Sequence, residues 1–256
     1  MKTALCTIAF KELDVERVLD LARDNALDGV EIWGKEPHMG DAFDAERCAR
    51  VRDAVAARGL VVSALGSYIK PEMEDFESHG AAALDIAAAL GTNVVRIWAG
   101  GGASAQVTCD VYGDAVVALR RFCPQAEARG ITLAFESHDN TIADNARGIL
   151  RLIDEVGSPA LKTYYQPSRR DGADDPYEAA ELLGPHVVNV HAQNFDAERA
   201  GRAPVGKGMV DYRRVAEILK RHGFDGYLEI EFVGEEDKFA SLAADAAFLK
   251  QLAAES

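Results

Sequence analysis

Four apolar segments of this chain each end in a side chain that can bind a cation or transfer a proton. These side chains come from distant parts of the sequence and are Glu136, Gln166, His191 and Glu231. Carboxylate, amide and imidazole groups are common ligands of divalent cations, and carboxylates also act as general acids and bases. If the segments are neighbouring strands, the pattern predicts a divalent metal site. Mn, Mg, Co and Zn are the candidate ions.

The sequence leaves alternatives open for each of these residues. Glu136 follows a buried segment, where an unpaired carboxylate is costly, so either a metal or an arginine must compensate its charge. His191 could instead be a core histidine bonded to a carbonyl group, and Gln166 could bind substrate by hydrogen bonds. Glu229 is the rival of Glu231, two residues earlier on the same segment, and the final inward position favours Glu231.

Further polar side chains near the predicted strand ends are candidates for substrate binding. They are His38, Tyr68, His138, Arg169 and Arg202. His138 shares a strand face with Glu136, because side chains two residues apart in a strand point the same way. Arg202 lies in the glycine-rich segment AGRAPVGKG, which could close over a polar ligand. For His38 and Arg202 a solvated loop position is the alternative, and Arg96 either points into the site or forms a structural ion pair.

Strand-like and helical segments alternate along the whole chain. The predicted strands are 3–10, 28–33, those starting at 60 and 92, 131–136, 161–165, 186–190 and 227–231. The predicted helices are 14–25, 44–58, 78–90, 107–129, 142–156, 175–183, 211–222 and 236–254, and a glycine follows most of them. Eight such units, in a chain near the typical length of roughly 250 residues, predict a single (β/α)8 TIM barrel over residues 1–256.

Composition narrows the class of partner. The formal charge is −14 and no run of Lys and Arg occurs, so nucleic acid and anionic membranes are not expected to bind. The amino terminus lacks a signal-type apolar region, and no stretch is long enough to span a membrane, which predicts a cytoplasmic protein. The four cysteines have no CxxC spacing and are expected to be reduced and structural.

Several segments resemble the sugar phosphate isomerase and epimerase family, the xylose isomerase-like TIM barrels. They are DGVEIW, LAFESH, VVNVHAQN and GMVDYRRVAEILKRHGFDGYLEIEF. The resemblance covers nearly the whole chain. It implies a divalent metal held by Glu136, the residue ending the sixth strand, His191 and Glu231, with the two glutamates also moving protons.

The sixth strand departs from the family pattern. The usual motif is Asp-x-x-His, whereas Gln166 and Arg169 occupy these positions here. An amide in place of a carboxylate removes one negative charge, so the metal should be held more weakly and be a stronger Lewis acid. Arg169 adds a two-pronged cationic donor, which would suit a carboxylate or another anionic group of a substrate.

The resemblance implies a metal-dependent isomerase or epimerase of a sugar or other polyhydroxy carbonyl compound, acting through an enediolate. One alternative is a lyase or dehydratase of a keto-sugar or keto-inositol, and another is a non-catalytic sugar-binding barrel. A DNA-repair endonuclease of the same superfamily would need several metals, many histidines and a basic face, which six histidines and the acidic charge disfavour. The expected partner is a small carbohydrate, and assembly into a homo-oligomer is left open.

Overall fold

A closed barrel of parallel strands is the framework of the computed structural model, which describes residues 1–168, 174–198 and 200–255. In the described residues its eight strands are β1 (Lys2–Cys6), β2 (Gly29–Trp33), β3 (Val61–Gly66), β4 (Val94–Ile97), β5 (Thr132–Phe135), β6 (Leu161–Tyr165), β7 (Val187–His191) and β10 (Tyr227–Ile230). Each strand pairs with its neighbours in chain order, and β10 closes the barrel against β1. The predicted (β/α)8 TIM barrel is confirmed.

Helices connect the strands around the outside of the barrel. They are α1 (Val15–Asp24), α2 (Ala45–Ala57), α3 (Phe76–Leu90), α4 (Cys109–Ala128), α5 (Ala146–Val156), α6 (Pro176–Leu183), α7 (Tyr212–Arg221) and α8 (Lys238–Glu255). Side chains such as Asp14, Asn145 and Asp211 accept hydrogen bonds from the first-turn amides and fix where helices begin. Gly91 and Gly157 end α3 and α5 in the left-handed conformation.

Two predicted boundaries were wrong by four residues, the end of the first strand and the start of the fifth helix. The segment 7–10 is a 3-10 helix rather than strand, because the hydroxyl of Thr7 turns to accept the backbone N–H of Trp33. The fifth helix begins at Ala146, not at 142, because Asn145 caps it. The sixth helix ends at Leu183, as predicted, and Gly184 then starts a 3-10 helix, Gly184–His186.

An additional hairpin lies beyond β7, at the mouth of the barrel. It consists of β8 (Asn194–Phe195) and β9 (Arg202–Ala203), which pair in antiparallel register. The side-chain amide of Asn194 donates to the carbonyls of Val205 and Val210 and so ties the loop together. The hairpin therefore carries Arg202 toward the carboxyl ends of the barrel strands.

The barrel interior contains a fully buried tyrosine. Tyr164 on β6 packs against Ala64 and Ala134, whose small side chains leave room for its ring. All four cysteines are free thiols, as predicted. In the part of the chain that the structure describes, no helix has the length and apolarity needed to cross a bilayer.

Candidate metal centre

The four side chains predicted as metal ligands meet at the carboxyl ends of β5, β6, β7 and β10. Atom Nδ1 of His191 lies 2.8 Å from Gln166 Oε1, 3.6 Å from Glu136 Oε1 and 3.5 Å from Glu231 Oε2. Ligand atoms of Glu136, His191 and Glu231 all lie within 4.8 Å of one another. The barrel thus brings together four groups that the sequence keeps far apart.

The geometry and the chemistry of these groups fit a divalent cation. Metal–ligand bonds of about 2.0–2.2 Å, at octahedral or tetrahedral angles, place neighbouring ligand atoms about 3.0–3.6 Å apart, and the distances from His191 Nδ1 are close to this range. Oε2 of Glu231 is buried and has no hydrogen-bond partner among the described residues. A buried carboxylate oxygen without a donor is the kind of atom that a cation would satisfy.

The pKa values of the two carboxyl groups differ strongly. Burial raises the pKa of Glu231 to about 8, because His191 offsets only part of the desolvation and the charge of Glu136 adds repulsion. Burial also acts on Glu136, but Arg96 and then His191 outweigh it and hold its pKa at about 2. A cation between the two carboxyls would favour the ionised form of both.

Arg96, on β4, compensates the charge of Glu136. Its Nη1 donates to Glu136 Oε2 over 2.6 Å, and its Nε lies 3.8 Å from Glu31 Oε1. Gly66 leaves the space for both groups, since a Cβ there would lie 2.5 Å from Glu31 Oε1 and 3.1 Å from Arg96 Nη2. Arg96 also lines the cavity described below, so it both forms an ion pair and faces the site.

The other ring nitrogen of His191 faces a second, deeper group of buried side chains. Its Nε2 lies 3.4 Å from Glu31 Oε2, which also accepts a 2.8 Å hydrogen bond from the hydroxyl of Tyr164. Glu229 lies beside them, 3.8 Å from the same nitrogen, and accepts a hydrogen bond from Ser63. The alternation along β10 thus places Glu229 in the barrel interior and Glu231 at its mouth.

A cavity of about 530 Å³ opens beside the predicted metal site and is lined by three of its residues, Glu136, Gln166 and Glu231. Its wall combines carboxyl, guanidinium and imidazole groups with aromatic rings. The residues that line it include Tyr68, Arg96, Trp98, Glu136, His138, Gln166, Gln193, Phe195, Arg202, Glu231 and Phe232. His138 stacks on Trp98 with ring centroids 4.3 Å apart. The hydroxyl of Tyr68 accepts a hydrogen bond from the indole of Trp33. The cavity can therefore hold a small molecule with both polar groups and an apolar face.

Arg202 is placed over one side of this cavity by the β8–β9 hairpin. Its guanidinium carbon lies 3.6 Å from the centroid of the Phe232 ring, and its Nη1 donates to Gln193 Oε1 over 3.1 Å. Stacking and hydrogen bonding hold the guanidinium group in a defined orientation. A positive charge is thus fixed at the mouth of the site.

One predicted substrate contact, His38, does not line the cavity. His38 is buried away from it, because its ring nitrogens contact the hydroxyl of Thr7 and the carbonyl of Leu13. The structure therefore places His38 outside this cavity, with both ring nitrogens in contact with Thr7 and Leu13. Arg169 lies outside the described residues.

Sequence reasoning did not assign roles to the deeper residues of the site. Glu31 is the only charged residue in the strand β2, which is otherwise apolar or aromatic, and this was the available signal. No signal in the sequence marked Tyr164. Tyr164 and Tyr165 are adjacent in β6, and only the register of the strand pairing tells which of the two points into the barrel.

The fold and the site define a closed (β/α)8 barrel whose strand ends bring carboxylate and imidazole groups together in a candidate metal site. The chain belongs to the xylose isomerase-like TIM barrel family, whose model matches residues 19–252.

Relatives in this family carry the names of enzymes. The 3-dehydroshikimate dehydratase of Bacillus anthracis is 23% identical over 93% of this chain and 93% of its own length. Fructoselysine 3-epimerase of Escherichia coli O157:H7 is 22% identical over 91% and 90% of the two chains. These names support an enzymatic role for this chain.

Solved structures share the fold at low sequence identity. The probable 3-DHS dehydratase AsbF of Bacillus anthracis has a TM-score of 0.83 and 22% identity, over 98% of this chain and 99% of that one. A xylose isomerase-like TIM barrel protein of Mycobacterium smegmatis, solved in complex with magnesium, has a TM-score of 0.78 and 17% identity, over 99% and 97%. At such identities the likeness establishes the fold alone.

Proposed function

We propose that this protein is a divalent-metal-dependent enzyme that removes a proton from the carbon beside the carbonyl group of a small polyhydroxy compound. The observation that carries the proposal is the convergence of Gln166, Glu136 and Glu231 on Nδ1 of His191. These four residues would hold the ion. When bound, a divalent cation polarises the substrate carbonyl and stabilises the negative charge that develops on its oxygen.

Proton transfer falls to the two glutamates of this site. Glu136 and Glu231 come from β5 and β10 and both line the cavity, so a substrate above them can be approached by two carboxyl groups. Carboxyl groups held within hydrogen-bond distance of a substrate carbon act as general base and general acid. Return of the proton to the neighbouring carbon gives isomerisation, and return to the opposite face gives epimerisation.

Arg96 and Arg202 prepare the site for a polar or anionic substrate. Arg96 keeps Glu136 ionised, which is the form that accepts a proton. Arg202 presents its guanidinium group beside Gln193 at the cavity wall, and His138 offers its imidazole from the Trp98 side. Guanidinium groups bind carboxylates and phosphates in preference to neutral groups.

Dehydration is a second candidate for the outcome. It begins with the same proton removal but continues with loss of a β-hydroxyl group, and the dehydratase relative matches 93% of both chains. The guanidinium group of Arg202, the second one in the cavity wall after that of Arg96, also suits a cyclic substrate that carries a carboxylate. Both outcomes share the first step, so one experiment tests them together.

A solvent-exchange assay tests the proposal. The protein, reconstituted with Mn²⁺, is incubated in D₂O with ketoses, keto-inositols, hydroxypyruvate and dehydroshikimate, and deuterium incorporation and new double bonds are followed by NMR and mass spectrometry. Deuterated substrate indicates isomerase or epimerase chemistry, and an unsaturated product indicates dehydration.

Matched variants separate the site from the rest of the chain. Glu136→Gln and Glu231→Gln should each reduce exchange by at least about 10²-fold, the usual contribution of a general acid or base. Glu235 lies four residues after Glu231, and its side chain is 85% exposed. Glu235→Gln should therefore leave the deuterium exchange unchanged. Retention of full exchange in both site variants would contradict the proposal.

We propose a small carbohydrate or related polyhydroxy compound as substrate and the cytoplasm as location, with manganese as the first ion to test. The acidic charge of −14 and the absence of a Lys and Arg run support a protein that binds neither nucleic acid nor membranes.

A further inference from the structure

The imidazole of His191 has two faces with different surroundings. Nδ1 faces the predicted metal ligands, while Nε2 faces the carboxylate of Glu31, 3.4 Å away in the barrel interior. An imidazole can bind a cation through Nδ1 only when that nitrogen carries no proton. A carboxylate beside Nε2 favours the tautomer in which the proton resides on Nε2.

Glu31 is held in place by residues of three other strands, β3, β4 and β6. The hydroxyl of Tyr164 donates to its Oε2 over 2.8 Å, and the guanidinium of Arg96 lies 3.8 Å from its Oε1. Gly66 lets the carboxylate pass close to the backbone of β3. The side chain is 4% exposed, so these contacts replace water as its source of stabilisation.

Glu229 is a poorer partner for Nε2. Its Oε2 lies 3.8 Å from that nitrogen, beyond hydrogen-bond distance, and its Oε1 accepts hydrogen bonds from Ser63 and Asn189 instead. The two interior carboxyls therefore offer a matched comparison at similar depth and similar burial.

We propose that Glu31 is a positioning residue: it holds the Nε2 proton of His191 so that Nδ1 is free to face Glu136, Gln166 and Glu231, and Tyr164 fixes the carboxylate for this purpose. The proposal rests on the proposed metal function, and it adds residues that do not touch the substrate cavity. It accounts for the charged residue inside the otherwise apolar strand β2, where burial of an unpaired charge would be costly.

Metal affinity is the first test. Titration of the metal-free protein with Mn²⁺, followed by the EPR signal of the free ion, gives the affinity of wild type and of Glu31→Gln. Loss of a group that orients a ligand histidine typically weakens binding by about 10–100-fold, and we expect a loss in this range. Glu229→Gln, in which the amide oxygen can still accept the Ser63 hydrogen bond, should change the affinity by less than about 3-fold, because it makes no hydrogen bond to His191.

The Nε2 proton of His191 is the readout that a merely structural role would not move. In the Zn²⁺-loaded protein labelled with ¹⁵N-histidine, the NMR signal of this proton should be shifted downfield in wild type by the hydrogen bond to the carboxylate of Glu31. Glu31→Gln should reduce this shift, and Glu229→Gln should not. If Glu31→Gln does not fold, Tyr164→Phe removes the donor to Glu31 and should weaken Mn²⁺ binding by at least about 3-fold, less than loss of the carboxylate itself.

The outcomes separate this inference from the proposed function. If wild type binds no Mn²⁺, the metal function fails. If wild type binds Mn²⁺ and Glu31→Gln binds it equally well, with the same NMR shift of the Nε2 proton of His191, only the role of Glu31 is overturned. Equal losses of Mn²⁺ affinity in Glu31→Gln and Glu229→Gln would also overturn the role of Glu31. Any interior carboxyl group would then affect metal binding to the same extent.

Discussion

Replacing Arg96 by methionine should destabilise the metal-free protein far more than a comparable surface change. Arg96 and Glu136 form a 2.6 Å ion pair in which the two side chains are only 5% and 4% exposed. Methionine fills part of the volume but leaves the carboxylate without its cation. Breaking a buried pair from one side typically costs about 3–5 kcal/mol.

The pKa of Glu136 gives a second route to the same magnitude. Burial raises it, but Arg96 is the first of the groups that bring it down from 4.5 to about 2. At about 1.4 kcal/mol for each pKa unit, the folded state gains about 3 kcal/mol from this carboxylate. Because the folded pKa is depressed, this contribution is complete above about pH 4.5 and disappears as the pH falls toward 2. The difference between wild type and Arg96→Met should therefore narrow over the same interval.

Urea unfolding of EDTA-treated proteins between pH 3 and pH 7 measures both effects. Arg47→Met is the control, because Arg47 pairs with Glu36 at the surface, where the carboxylate side chain is 71% exposed, and surface pairs contribute little. Arg96→Met as stable at pH 7 as Arg47→Met would refute the compensation argument. Saturating Mn²⁺ should restore part of the loss, since the ion supplies positive charge to Glu136.

Other changes test the packing and the cavity wall. Gly226→Ala should cost about 1–3 kcal/mol in chemical unfolding, because the added methyl would overlap the carbonyl oxygen of Val188. By contrast, Gly113→Ala in α4, with nothing within 4 Å of the new methyl, should stabilise the protein by about 0.5–1 kcal/mol; the opposite order of the two would contradict the barrel packing. Arg202→Ala should raise KM for an anionic substrate roughly 10-fold or more with a smaller change in kcat, whereas Arg202→Lys, which keeps the charge but loses the planar stacking on Phe232, should be intermediate. Equal KM values in steady-state assays of all three proteins would exclude Arg202 from substrate binding.

The barrel could be predicted because its information is local and repeated. Each apolar strand is followed by a helix with a capping residue or a glycine. Eight repeats of this unit commonly close into a single barrel of parallel strands. The same logic brought Gln166, His191 and Glu231 to one end of the barrel, since parallel strands expose their carboxyl ends together. Position at a strand end was thus enough to anticipate that these side chains meet.

Interior contacts could not be predicted in this way, because they depend on side-chain depth and on partners across the barrel. The link from Tyr164 to Glu31 spans 133 positions in the sequence, and nothing near either residue indicates it. His38 shows the reverse case. Its place after a strand suggested a substrate contact, yet the hydroxyl of Thr7 and a backbone carbonyl take both ring nitrogens.

The most direct test of the account is the position of a bound ion. A crystal grown with Mn²⁺ and measured near the manganese absorption edge should show one anomalous peak within about 2.0–2.4 Å of His191 Nδ1 and of carboxylate oxygens of Glu136 and Glu231, with the amide oxygen of Gln166 completing the set. An ion bound elsewhere, or no peak at saturating Mn²⁺, would contradict the claim that these strand ends form a metal centre.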